Sequence, residues 1–283
     1  MLEPENNPTA SYFVDPPRLL RFFVSKRLSR FANAQWKAKK RAAAEKSRNA
    51  EGRAHVVEYF HQVDDPYSHL MAQVVAQFAE RYDIEVAPHL IRATGGSSQP
   101  EEVKLAVWAR RDCGLIAPHY GLSFPDNAGV VPEPELQQAA NRALTKLGAK
   151  DFLNQVEGIS TSLWSDGSID AGQVTVEEAE AALKAGSARL AELDHYSGAM
   201  LYYAGEWYWG VDRLFHLEQR LRELGLAKEP GQPYIAPRPE LDVRGVDASG
   251  LQLHFFPSLN SPYTAVIFDN TIELSRACKI NLH

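Results

Sequence analysis

Along this chain the spacing of apolar and polar residues changes several times, and each change marks an element. His55-Val56-Val57-Glu58-Tyr59-Phe60 is β-branched and aromatic with no breaker, which predicts a strand. Asp65-Pro66 then joins a favoured helix N-cap to a residue favoured at the first helical position. Beyond it Leu70, Met71, Val74, Val75 and Phe78 recur at helical spacing and define one apolar face. Ile84-Glu85-Val86-Ala87-Pro88-His89-Leu90 predicts a second short strand, so residues 55–91 make a β-α-β unit of the right-handed kind.

Residues 100–192 keep a helical period, interrupted by turn residues at Pro118, Gly121, 125–134 and Asp166-Gly167. Glu177–Leu193 reads as an Ala/Glu/Leu helix. Ala199–Tyr203 and Trp207–Trp209, joined through Ala204-Gly205-Glu206, predict a hairpin. A last helix follows Gly210, with Leu214, Leu217, Leu221 and Leu224 on one face, and stops at Gly225. Four prolines between Lys228 and Pro239 predict a linker over 227–250.

The pattern after the linker repeats the pattern before it. At an offset of 196, residues 57–87 align without a gap on 253–283, and Phe60, Pro66, Tyr67 and Ile84 meet Phe256, Pro262, Tyr263 and Ile280. The matched order of strand, x-Pro-Tyr-x, helix and strand carries the alignment further than its identities do. A β-α-β start cannot bury its own apolar face. The expectation is therefore a truncated second copy at 251–283, the alternative being a tail packed on the first domain or on a partner.

Composition narrows the classes. At 283 residues, with 45% hydrophobic and 23% charged side chains, the chain is long enough for one to two globular domains. Its two cysteines, Cys113 and Cys278, supply neither a disulfide scaffold nor a CxxC pair. Cys113 lies among apolar residues and reads as an inert buried thiol; Cys278 falls on the apolar-to-polar edge of the last helix. His55, His61, His69 and His89 have no metal-ligand spacing, and no metal is expected.

The net charge of −6 hides a split. Residues 18–53 hold twelve Lys and Arg against Glu45 and Glu51, a surplus of ten positive charges set against sixteen negative ones elsewhere. The foremost expectation for this 1–53 extension is docking on the protein's own acidic body or in a homo-oligomer. An anionic membrane surface comes second, and nucleic acid last. No secretory signal is legible. An organelle presequence stays open, and cytoplasm is the default.

Three strings then carry a resemblance: Asp65-Pro66-Tyr67-Ser68; Trp108 to Asp112 with Gly121-Leu122-Ser123-Phe124; and Trp209-Gly210-Val211-Asp212-Arg213-Leu214. In this order the chain resembles the DsbA-like thioredoxin-fold superfamily. That superfamily includes 2-hydroxychromene-2-carboxylate isomerases and kappa-class glutathione transferases, and the look is nearest to its tandem-domain bacterial branch. The resemblance implies an α/β thioredoxin-like domain at 54–226 with a helical insertion at about 98–193, followed by the truncated start of a second thioredoxin-like repeat.

The resemblance implies either a glutathione-dependent isomerase or transferase acting on a small aromatic or electrophilic substrate, or a catalytically silent binding or assembly module. In the first case Asp65 and Ser68 stand in the catalytic positions, while Tyr67, Asp212 and Met200 line the glutathione site. Dithiol exchange needs an attacking thiolate. The x-Pro-Tyr-x positions here hold Asp65 and Ser68, and in the second copy Ser261 and Thr264, so that chemistry has no nucleophile. The stretch His195 to Met200 also lacks the proline that the family places before its hairpin.

Overall fold

A computed structural model describes residues 22–23, 26, 33–92, 101–125, 130–165, 167–238, 242–257 and 262–283. Ser261 and the expected start of the helical insertion near 98 lie outside these residues. They divide into two compact units, Met1–Pro237 and Arg238–His283.

The first unit is mixed α/β. Its strands are β1 (Val56–His61), β2 (Glu85–Leu90), β3 (Met200–Tyr203) and β4 (Glu206–Trp209). They form one sheet in the order β2-β1-β3-β4. β1 and β2 run parallel, from Val56 opposite Glu85 to His61 opposite Leu90. β3 runs antiparallel to β1 and pairs with β4 across the Ala204-Gly205 turn. A parallel pair extended by an antiparallel hairpin, with a helix linking the parallel strands, is the arrangement of a thioredoxin-like fold.

Helix α2 (Pro66–Arg81) links β1 to β2, and its apolar face forms as its period requires: Leu70, Met71, Val75 and Phe78 are fully buried. They meet Val57 and Tyr59, which β1 alternation sends to the same side. Phe60 points to the other side, where it packs with Ile91, Leu190 and Met200.

Between β2 and β3 lie four helices: α3 (Glu102–Ile116), α4 (Pro134–Leu144), α5 (Ala149–Trp164) and α6 (Val176–Glu192), with a short 3-10 turn at Ala117–Tyr120. α5 lies on α2, where the buried His69 Nδ1 and Ser160 Oγ share a 2.8 Å hydrogen bond. α6 opens on a capping box between Thr175 and Glu178. It covers the Phe60 side of the sheet at very close range: a Cβ on Gly186 would lie 2.0 Å from the Leu90 carbonyl oxygen. Arg189 fixes it there with two 2.8 Å bonds to Glu58, whose carboxylate also meets His89 Nε2 at 3.0 Å.

After β4 a 3-10 turn (Val211–Arg213) leads into α7 (Leu214–Glu223). Leu214, Leu217 and Leu221 are fully buried, whereas Leu224, which the leucine spacing assigned to the same face, is 37% exposed because α7 ends at Glu223. Residues 226–236, which include the first part of the 227–250 stretch expected to link two domains, are held against this unit. Asp83 N–H donates to Leu226 O, the buried Glu218 carboxylate accepts from Ile235 N–H, and Arg81 donates to Pro233 O. Helix α1 (Ala34–Ala50) precedes the sheet; Asn33 caps it, and Arg41 ties it to Glu206 on β4 through bonds of 2.9 and 2.7 Å.

The second unit is a short parallel pair, β5 (Gln252–Leu253) and β6 (Asn281–Leu282), joined by α8 (Pro262–Cys278). Phe255 N–H and His283 N–H extend the ladder by bonding to His283 O and Leu253 O. Cys278, placed by sequence at the edge of the apolar face, is 4% exposed.

Candidate functional site

The site begins where β1 ends. After His61 the chain turns, and Asp65 adopts the extended backbone of an N-cap. The first N–H groups of a helix have no intrahelical acceptor, and the helix dipole adds positive potential there. A thiolate or other anion is stabilised at such a point. Here the anion is the protein's own: Asp65 Oδ1 accepts from Tyr67 N–H at 3.3 Å, and Oδ2 accepts from Ser68 N–H at 2.9 Å.

Ser68 completes the closure. Its hydroxyl donates to Asp65 Oδ2 (2.7 Å) while accepting from Ala199 N–H (2.8 Å) and Gln62 N–H (3.3 Å). Ser68 is fully buried, and so is Ala199, whose backbone is left-handed (φ 52°). Non-glycine residues adopt that conformation at a cost of ~1 kcal/mol, and here it accompanies the N–H bond to Ser68. Gly198 lies directly over the pair: a Cβ there would be 2.8 Å from Asp65 Oδ2 and 2.9 Å from Ser68 Oγ. Removal from water pushes the Asp65 carboxyl up to about 6, against the pull of its Ser68 and Tyr67 donors.

Tyr67 turns away from this knot. Its hydroxyl donates to Asp112 Oδ2 on α3 at 2.8 Å, and its ring meets Trp209 edge to face at 5.0 Å. Next to Asp112, Cys113 is fully buried. Desolvation raises its thiol far above the ordinary value, and the charges of Asp65, Asp112 and Asp212 push it further. Asp212 follows Gly210, in the 3-10 turn before α7 rather than in the helix itself. Burial raises its carboxyl, the Asp112 charge raises it too, and Arg213 pairs with it.

The structure thus gathers Asp65, Ser68 and Tyr67 at one helix start and brings Asp212 into the same electrostatic neighbourhood. Met200 stands apart: β3 alternation sends its side chain to the Phe60 face, opposite α2. Sequence reasoning did not assign Gly198, Asp112 or Trp209 to the site. The chemistry of the gathered groups is acidic. Asp65, Asp112 and Asp212 all lie within electrostatic reach of Cys113, and Arg213 is engaged with Asp212. A ligand carrying a thiolate and carboxylates meets repulsion there. Among the described residues no cluster of His, Cys, Asp and Glu is placed to hold a metal ion, and no helix is long and apolar enough to cross a membrane.

A scan against protein-family models and a search of curated proteins return no match. Among solved structures, the chain is similar to a 2-hydroxychromene-2-carboxylate isomerase at 20% identity, covering 60% of this chain and 96% of that one with a TM-score of 0.44. It is also similar to a Nitrosomonas europaea protein ascribed to the protein disulfide isomerases, at 13% identity, covering 61% of this chain and 99% of that one with a TM-score of 0.42. The thioredoxin-like reading of the sheet rests on its own strand order and register.

Proposed function

We propose that this chain is a DsbA-related thioredoxin-fold binding module whose helix N-terminus, the usual seat of thiol chemistry in that fold, has become a closed structural cap. One observation carries the reading: the Asp65 carboxylate takes the N–H groups of Tyr67 and Ser68, and Gly198 covers it without room for a methyl group. The opposing reading is a glutathione-dependent isomerase or transferase acting through Asp65 and Ser68, with Tyr67, Asp212 and Met200 lining the site. It needs those N–H groups open to a thiolate, and it needs an environment less acidic than the one Asp112 and Asp212 make.

The tandem character belongs to the same proposal. Adding 196 to the pairs Val56–Glu85 and Val57–Val86 of the first unit gives Gln252–Asn281 and Leu253–Leu282, the pairs formed in the second, and adding it to Pro66 gives the start of α8. This identity of register supports a second thioredoxin-like repeat beginning at 251, with the helices between β2 and β3 as the insertion in the first. Two buried free cysteines suit a reducing compartment, and we place the protein in the cytoplasm.

Calorimetric titration with glutathione tests the proposal. The native chain gives no binding heat at millimolar ligand, and Asp65→Ser, which frees the anion position, acquires a signal. Saturable binding to the native chain would overturn it.

A further inference from the structure

We propose that the outward face of α1, together with Phe22, Phe23 and Lys26 before it in sequence, is a docking surface for an anionic lipid bilayer. The inference does not depend on the reading of the Asp65 site. α1 holds six cations and one carboxylate, Glu45, over Ala34–Ala50. Its two sides differ. Arg41 binds Glu206, and Arg48 pairs with Glu45 while donating to Arg53 O at 2.5 Å, so the helix's one acid and both its arginines serve internal contacts. At 100° per residue, Trp36, Lys39, Ala43 and Lys46 fall on the opposite side, with Lys40 stacked 4.3 Å over the Trp36 ring. That side carries no carboxylate, and Lys39, Lys40, Ala43 and Lys46 are exposed.

The preceding sequence continues the theme. Arg18, Arg21, Lys26, Arg27 and Arg30 are interleaved with Leu19, Leu20, Phe22, Phe23, Leu28 and Phe31. Phe22 and Phe23 are 61% and 65% exposed and meet edge to face at 5.7 Å, with Lys26 Nζ 5.9 Å from the Phe22 centroid. Large exposed aromatics beside lysines suit the boundary between headgroups and acyl chains, where the ring enters the apolar layer and the ammonium stays with the phosphates. Nucleic acid would use the cations and the rings, but the leucines have nothing to stack on a base. The charge split favours this segment as the contact: an anionic surface attracts the net positive residues 18–53 and repels the net negative remainder of the chain.

The test is flotation of the full chain with vesicles of phosphatidylcholine alone or mixed with phosphatidylglycerol. The expected result is recovery with the anionic vesicles only, reversed by high salt. Lys39→Gln with Lys46→Gln, both solvent-facing, lowers partitioning about tenfold or more while leaving circular dichroism unchanged. Phe22→Ser with Phe23→Ser weakens it even at low salt. Equal recovery on neutral vesicles, no recovery on either, insensitivity to both double variants, or retention of a duplex oligonucleotide without vesicle binding would each overturn the proposal.

Discussion

Gly198 and Asp65 are in contact so close that a single methyl group on Gly198 would stand 2.8 Å from Asp65 Oδ2. The same methyl would lie 2.9 Å from Gln62 Cβ, so neither side of the contact has slack. Gly198→Ala is therefore expected to destabilise the fold by about 1–3 kcal/mol, through the cost of overpacking. Urea unfolding measures it. A loss of only a few tenths would mean that the loop before β3 does not close the helix start.

Ser68→Ala removes one donor from Asp65 and leaves the buried Ala199 N–H without its 2.8 Å acceptor. Leaving a buried donor unsatisfied costs about 1–3 kcal/mol. Because the Ser68 hydroxyl is also a group that pulls the Asp65 carboxyl down, the variant should raise that value further. Stability and the carboxyl titration, measured together, separate this from simple loss of packing, which would move only the first.

The Asp65 carboxyl sits near 6 when folded against an ordinary 3.8, so the folded state binds its proton more tightly. Its contribution is present at low pH and is lost as pH rises between about 4 and 6. Asp65→Asn keeps a residue suited to N-capping and abolishes that dependence. Relative to the native chain, the variant should gain about 2 kcal/mol between pH 4 and pH 7, most of the linkage equivalent of the shift. Parallel stability curves would contradict the burial of this carboxyl.

His69 carries the opposite sign. Burial holds its imidazole down to about 4, below its unfolded value, so its contribution is present above the ordinary 6.5 and is lost as pH falls through 4. Ser160→Ala takes away its 2.8 Å partner and should cost about 1–3 kcal/mol at neutral pH. Chemical denaturation at pH 7 checks the figure.

α6 offers a structural control far from the site. A Cβ on Gly186 meets the Leu90 carbonyl at 2.0 Å, so Gly186→Ala must lift the helix from the sheet. The expected loss is about 3 kcal/mol or more, with the Arg189–Glu58 pair strained at the same time. Full stability in this variant would contradict the close seating of α6 on β2.

What the sequence made legible is local. Asp65-Pro66 foretold both the cap and the helix start, and β1, β2 and the hairpin fall within a residue or two of their periodic segments. The other features depend on how the folded chain places its parts. Asp112, the acceptor for Tyr67, lies 45 residues away on α3, and Gly198 reads as ordinary turn chemistry until α2 is placed beneath it. Met200, which the resemblance places at the glutathione site, is turned by strand alternation to the face opposite α2. The prolines of 228–239 predict a linker, yet proline leaves carbonyls to accept, and Pro233 accepts from Arg81.

The central claim, that the Asp65 carboxylate fills the anion position of α2 and is closed over, is tested most directly by carbon-detected NMR of that carboxyl across pH, with and without millimolar glutathione. The account predicts a titration near 6 that glutathione does not move. A midpoint at the ordinary aspartate value, or one displaced by glutathione, would contradict it.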